Sequence, residues 1–358
     1  MSRVACAARV APLSRWNVSH VASHLGDVLW LQAQAGGQGP WSRPTSATIP
    51  FTFHRRPSCL QELPVTQPIS RRTLIAGGAA AVASATPFRL AAAPVGPFVD
   101  SARDIEARLK ARVGVMVSEV GTDRRWAYRQ DERFPMASTF KAFACAALLA
   151  RVDAGERRLD DRVAVRSSDL VSYAPVTEKH VGGTMSLAEI CAAATGVSDN
   201  TAANLILDAI GGPAGLTAFM RKIGDADTRL DRRETELNEG TPGDLRDTTT
   251  PAAAAESFRK LVLGDVLSAG SRRQLQEWLV ANQVAGPLLR ASLPQGWRIA
   301  DRSGAGGHGT RNVLAVLWPP RGLPIVSAIY LSETDASMDA RNAAIAEIGR
   351  AMIRVVGS

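Results

Sequence analysis

The chain has 358 residues, long enough to bury one large core or to hold two domains of average size. Its formal net charge of +8 invites a phosphate-bearing partner, but residues 1–93 hold nine Arg against only Asp27 and Glu62. The remainder is nearly neutral, which excludes the basic face that nucleic-acid binding requires.

Residues 1–69 carry Gly-Pro clusters, scattered Trp and His, and no sustained periodicity, the pattern of a disordered leader or of a start assigned too far upstream. Ser70-Arg71-Arg72-Thr73-Leu74-Ile75 then reads as a twin-arginine pattern. A small-residue apolar run over 76–85 follows, and Ala91-Ala92-Ala93 offers a signal-peptidase site. The run is too short and too rich in Gly and Ala to serve as a stable membrane anchor. Residues 70–93 are therefore expected to be a signal peptide, with the twin-arginine export machinery and a signal peptidase as partners. The mature chain, 94–358, is expected in the periplasm.

From residue 98 the pattern becomes globular. A first amphipathic helix is expected over 104–109, then two strands at 113–117 and 126–128 joined by a polar turn. A long Ala- and Leu-rich block follows, with helices expected over 140–152, 187–194, 201–210, 253–263 and 272–279. Strands return at 297–303, 313–318 and 325–331, before an amphipathic helix over 338–355. Two strands, a helical block and three strands imply one sheet built from both ends of the chain, with the helices inserted between.

Four short motifs occur in order along this frame: Ser138-Thr139-Phe140-Lys141, Ser198-Asp199-Asn200, Glu234-Thr235-Glu236-Leu237-Asn238 and Arg302-Ser303-Gly304. Ser-x-x-Lys alone is a weak signal, since Ser257-Phe258-Arg259-Lys260 matches it on what reads as a solvated helix face. At a helix start, however, residues three apart share a face, which sets an amine beside the Ser138 hydroxyl. The backbone N–H groups there also favour a developing oxyanion. Ser198 and Asn200, taken alone, read as a plain helix N-cap.

Only His180 and His308 lie beyond residue 93, neither with a Gly-x-Ser-x-Gly partner nor a metal-ligand spacing. A Ser-His-Asp hydrolase or a zinc enzyme is excluded on that ground, and no metal or cofactor is expected. Gly304-Ala305-Gly306-Gly307-His308-Gly309 fits the dinucleotide fingerprint in letters only, because a strand rather than a helix follows it.

In this order and company the motifs resemble those of the class A serine β-lactamases, over about residues 102–353. The resemblance implies an α/β (α+β) fold of the serine β-lactamase/D,D-peptidase type: a five-stranded antiparallel sheet with flanking helices, an all-α lobe, and the active site in the cleft between. It implies hydrolysis of the amide of penicillins and related β-lactams, which confers resistance; nothing in the sequence suggests an obligate oligomer, so a monomer is expected. Ser138 would be the acylated nucleophile, with Lys141 and Ser198 carrying its proton. Glu234 and Asn238 would hold the water that releases the acyl group. Asn200 would hold the substrate side-chain amide, Arg302 and Arg311 its carboxylate, and Ser303 would also bind the substrate. The Ala305 N–H would complete the oxyanion hole, and Tyr173 would stand at the cleft mouth. Both Lys141 and Glu234 are candidates for the acylation base.

Three details sharpen this reading. Arg302 stands where Lys is commoner; its permanent charge favours a neutral Lys141, which Glu234 opposes. Arg232 and Asp247 fall at the positions that close the neck of the loop over 229–247. Cys145 and Cys191 fall where many members are bridged, and an even pair in an exported chain reads as a disulfide, with two buried free thiols as the alternative. A D,D-peptidase or a β-lactam sensor would acylate on the same serine, and Glu234 separates the lead reading from both.

Overall fold

The computed structural model of the protein describes residues 96–356; the expected leader and signal peptide lie outside them. Helix α1 (Pro97–Leu109) begins with Pro, whose missing N–H costs nothing there, and ends at left-handed Lys110, whose N–H reaches the Glu106 carbonyl. Strands β1 (Arg112–Glu119) and β2 (Arg125–Tyr128) form the first hairpin. The two-residue strand β3 (Phe134–Pro135) leads into a tight 3₁₀ turn, Ala137–Thr139, and then α2 (Phe140–Asp153).

The helical block continues through β4 (Arg162–Ala164), β5 (Thr184–Ser186), α3 (Leu187–Gly196), α4 (Asn200–Ile210) and α5 (Gly212–Lys222). After β6 (Thr248–Thr249) come α6 (Pro251–Val262) and α7 (Ala269–Val280). The chain closes with β7 (Arg298–Ala305), β8 (Arg311–Trp318), β9 (Ile325–Ser332) and α8 (Met338–Val356).

The five long strands form one antiparallel sheet in the order β2-β1-β9-β8-β7, so both ends of the chain do meet in it. Alternation sorts its residues between two cores. Val113, Val115, Ile329 and Leu331 face α1 and α8. Leu314, Val316, Ala328 and Tyr330 face the helical block. Helix α2 is buried from Phe140 to Leu149, which explains its lack of a polar face and makes it the axis of the helical lobe.

The structure adds elements the sequence hid. Helix α5 is masked by Gly and Pro at its start, yet Gly211 (φ 94°) turns the chain between α4 and α5 and Gly215 lies against the Ile210 carbonyl, 2.1 Å from where a Cβ would sit. The two-residue pair β3–β6 is too short to leave a periodic signal. The Ser257–Lys260 segment is not a solvated face: the buried Ser257 hydroxyl donates to Asp225 at 2.7 Å and Lys260 donates to the Ile223 carbonyl at 2.8 Å. Asp225, buried at the turn after α5, is satisfied by Ser257 together with the Thr228 hydroxyl and the Asp227 and Thr228 N–H groups.

Gly114 sets how closely β1 approaches β3. A Cβ there would sit 2.3 Å from the Phe134 ring and 2.8 Å from Pro251, inside the densely filled layer behind the nucleophile's turn. Gly114→Ala should therefore lower stability by about 1–3 kcal/mol through overpacking. Urea unfolding followed by circular dichroism checks this, and an unchanged midpoint would show that the layer yields freely.

Candidate active site

The turn over 137–139 is pinned from three sides. Asn312 on β8 donates to the Pro135 and Met136 carbonyls at 2.7 and 3.2 Å, and the Met136 N–H reaches Asp247 at 2.9 Å. Gly304 on β7 approaches so closely that a Cβ would lie 3.1 Å from the Ser138 nitrogen. Ala137 is held at φ 43° and Ser198 at φ 66°, in the left-handed region that non-glycine residues rarely adopt. Such strain collects where surrounding structure dictates the backbone.

Around this turn the four motifs converge. The Ser198 hydroxyl donates to Ser138 Oγ at 3.1 Å. Lys141 Nζ donates to Ser198 Oγ at 3.2 Å, to the Ser198 carbonyl at 2.9 Å and to Asn200 Oδ1 at 2.6 Å, and it pairs with Glu234 Oε1 at 2.9 Å. None of its hydrogen bonds goes to Ser138, contrary to the helix-face expectation. Ser138 sits in the 3₁₀ turn, one residue before α2 begins, so Ser198 bridges the nucleophile and the amine.

Glu234 is fixed by groups both expected and missed. Asn238 Nδ2 donates to its Oε2. Asn204, one turn beyond Asn200 on α4, clamps its backbone: Nδ2 donates to the Glu234 carbonyl at 2.9 Å and Oδ1 accepts the Glu234 N–H at 3.0 Å. Only the four-residue spacing from Asn200 hinted at Asn204. The loop neck closes as expected, with Arg232 Nε 2.6 Å from Asp247 Oδ2. Asp199, quoted in the motif without a role, is fully buried; it caps α4 at Ala202 and holds the Val176 and Thr177 N–H groups at 3.0 and 2.9 Å. It thereby ties down the segment that carries Tyr173.

These groups back an open cleft of about 220 Å³. Ser138, Ser198, Asn200 and Asn238 line one side; Ser303, Ala305 and Arg311 line the other, and exposed Tyr173 stands on the rim. Val284, on the segment after α7, also lines it, and no sequence signal marked it. Arg302 departs from expectation: it is completely buried behind the wall and donates to Ser198 Oγ. Strand alternation turns Arg302 and Gly304 toward the 3₁₀ turn, leaving Arg311 as the cation that faces the cleft. Arg311 is oriented by Asn342 at 2.8 Å and by the Gly304 carbonyl at 3.2 Å.

Cys145 and Cys191 also differ from the bridged reading. Both are free, buried thiols, with Cys145 Sγ 3.9 Å from the Cys191 carbonyl. Burial, reinforced by the neighbouring Cys145 thiol, raises the Cys191 pKa well above its ordinary value, so it stays protonated.

A nucleophilic serine, a buried amine, a bridging hydroxyl and an opposed carboxylate define a serine acyl-transfer hydrolase of the Ser-Lys kind. Comparison with known proteins agrees. The model of the beta-lactamase enzyme family matches residues 97–356. Beta-lactamase AER-1 of Aeromonas hydrophila is 53% identical over 269 residues, 75% of this chain and 88% of that protein. Among solved structures, an ancestral (GNCA) class A β-lactamase is 57% identical with a TM-score of 0.71, covering 72% of this chain and 99% of that one. The GNCA4 class A enzyme, a last common ancestor of Gram-negative bacteria, is 55% identical with a TM-score of 0.72, covering 73% and 100%. The chain belongs to the β-lactamase family, within class A, and is a hydrolase of the β-lactam amide bond.

The electrostatics give a measurable signature. Burial, helped by Arg302 and opposed by Glu234, lowers the Lys141 pKa from 10.5 to about 8. The folded value lies below the unfolded one, so the associated stability is present above about 10.5 and lost as pH falls through about 8. An NMR titration of the Lys141 ammonium should have its midpoint near 8, moving up in Arg302→Leu and down in Glu234→Gln. A wild-type midpoint at the ordinary lysine value would contradict this account of the site.

Proposed function

We propose that the enzyme opens penicillins by acylation of Ser138 and releases the product with water held by Glu234 and Asn238. The observation that carries the proposal is the unbroken chain Ser138–Ser198–Lys141–Glu234–Asn238. Ser138 Oγ attacks the lactam carbonyl while its proton passes through Ser198 to the neutral amine of Lys141. The carbon–nitrogen bond then breaks, and the same path returns the proton to the ring nitrogen. The Ser138 and Ala305 N–H groups receive the developing oxyanion.

Water then adds to the ester as Glu234 takes its proton; the bond to Ser138 Oγ breaks as that proton passes back to the serine oxygen, which frees the ring-opened acid and restores both groups. Buried Asn238 Oδ1 has no donor from the protein, which supports a water held beside Glu234. Arg311 faces the cleft and suits the substrate carboxylate; Arg302 holds Ser198 and biases Lys141.

Glu234→Ala should still acylate but release the acyl group at least about 10²-fold more slowly, the scale of a lost general base. Intact-mass spectrometry after benzylpenicillin should find the adduct on Ser138. Normal turnover by this variant would transfer the water-activating role elsewhere.

Export by the twin-arginine route completes the proposal and rests on residues 70–93 of the sequence. In an oxidising compartment Cys145 and Cys191, side by side between α2 and α3, would join. Fractionation of cells expressing the full chain should find it in the periplasm without alkylatable thiols, and Arg71→Lys with Arg72→Lys should retain it in the cytoplasm. Periplasmic protein carrying both thiols would remove the disulfide from the proposal; unaltered export of the double variant would remove the route.

A further inference from the structure

A second cavity, about 530 Å³ against about 220 Å³ for the catalytic cleft, lies outside the machinery described above. Its walls are the C-terminus of α1, the β9–α8 connection, His308 in the β7–β8 turn and Pro242 of the catalytic loop. The frame is built rather than incidental. Thr334 Oγ1 donates to the Leu109 carbonyl at 2.6 Å, and the Glu333 N–H donates to the His308 carbonyl at 2.6 Å. Gly309 lies so close to the Thr334 carbonyl that a Cβ would sit 2.2 Å from it.

The charges on these walls divide into two sets. Arg108 is neutralised by Glu347 at 2.6 Å, and Glu333 by Arg112 at 2.7 Å. Lys110 and Asp335 line the same cavity with opposite charge, yet among the described residues neither forms an ion pair. Both are exposed, and a ligand carrying an ammonium and a carboxylate would pair with each, with the exposed His308 on the same walls.

The turn that carries His308 also meets the catalytic loop. The Gly307 N–H, next to His308, donates to the Asn238 carbonyl at 2.8 Å, and Asn238 in turn holds Glu234. A Cβ on Gly307 would lie 2.2 Å from the Glu239 carbonyl, so the turn and the loop are packed as one seam. We propose that this cavity is a regulatory site for a small zwitterion of the amino-acid or short-peptide class, whose occupancy shifts the seam and slows release of the acyl group. The binding half stands independently of the mechanism; the kinetic half rests on the role given to Glu234 and Asn238.

The test uses the mature enzyme with alanylalanine as probe. Saturable binding in the millimolar range is expected by NMR shift perturbation at Lys110, His308 and Asp335, as is a drop in kcat of about fivefold with kcat/KM unchanged. Lys110→Asn, which suits the left-handed backbone there, and Asp335→Ala should each weaken binding at least about tenfold with basal turnover intact. Asp335→Lys should instead accept succinate. Absence of saturation, or wild-type binding by these variants, would overturn the site. A rise in KM alone would place the dipeptide in the catalytic cleft and overturn it too, while binding with unchanged kcat would overturn the coupling.

Discussion

The rest of the site depends on the ion pair between Lys141 and Glu234, both of whose side chains are fully withdrawn from solvent. Removing two charges from water costs several kcal/mol per ion, and attraction offsets this only when the remaining donors and acceptors are also satisfied. The surrounding architecture meets that condition. Ser198 and Asn200 accept from Lys141; Asn238 and Asn204 hold the side chain and backbone of Glu234. Helix α2, the start of α4 and the loop closed by Arg232 and Asp247 are thus fixed relative to one another by one electrostatic requirement. Loss of either member would strand a buried charge.

Arg302 adds a third charge to this buried set. Burial pushes its pKa down to about 10, so it remains cationic at neutral pH. Its contact with Ser198 makes it part of the proton path's scaffold, and its field works against a charged Lys141. An arginine here and a lysine here are therefore different electrostatic solutions, because only the lysine could relieve the repulsion by losing its proton.

The larger elements were legible because their signals are long. The strands of the five-stranded sheet, with α2, α4 and α8, carry enough turns or alternations to read, and the two-ended sheet followed from their order. Helix α5 escaped notice because Gly211 and Gly212 read as a break, when they are the corner that lets two helices meet. The motifs located Ser138, Ser198, Glu234 and Asn238 because ordered spacing survives in one dimension. Contacts across the fold do not. Asn204 acts on a residue thirty positions away, Val284 reaches the cleft from the far side of α7, and Arg302 is withdrawn from it by a packing choice no spacing encodes. The step from α-helix to 3₁₀ turn at Ser138 likewise decides that a second serine, rather than the lysine, touches the nucleophile.

The sheet's strand order also governs how the chain can be made. β1 pairs with β2 on one edge but finds its second hydrogen-bonding partner only in β9, more than two hundred residues later, and β7 and β8 complete the wall against the nucleophile's turn. During synthesis the amino-terminal hairpin and the whole helical block must wait, with their apolar faces uncovered, until the last strands arrive. Folding is in this sense a reaction of the finished polypeptide. A ribosome that stops short of β9 yields a chain with every catalytic motif and no surface on which to assemble them, a substrate for chaperones and proteases rather than a weaker enzyme.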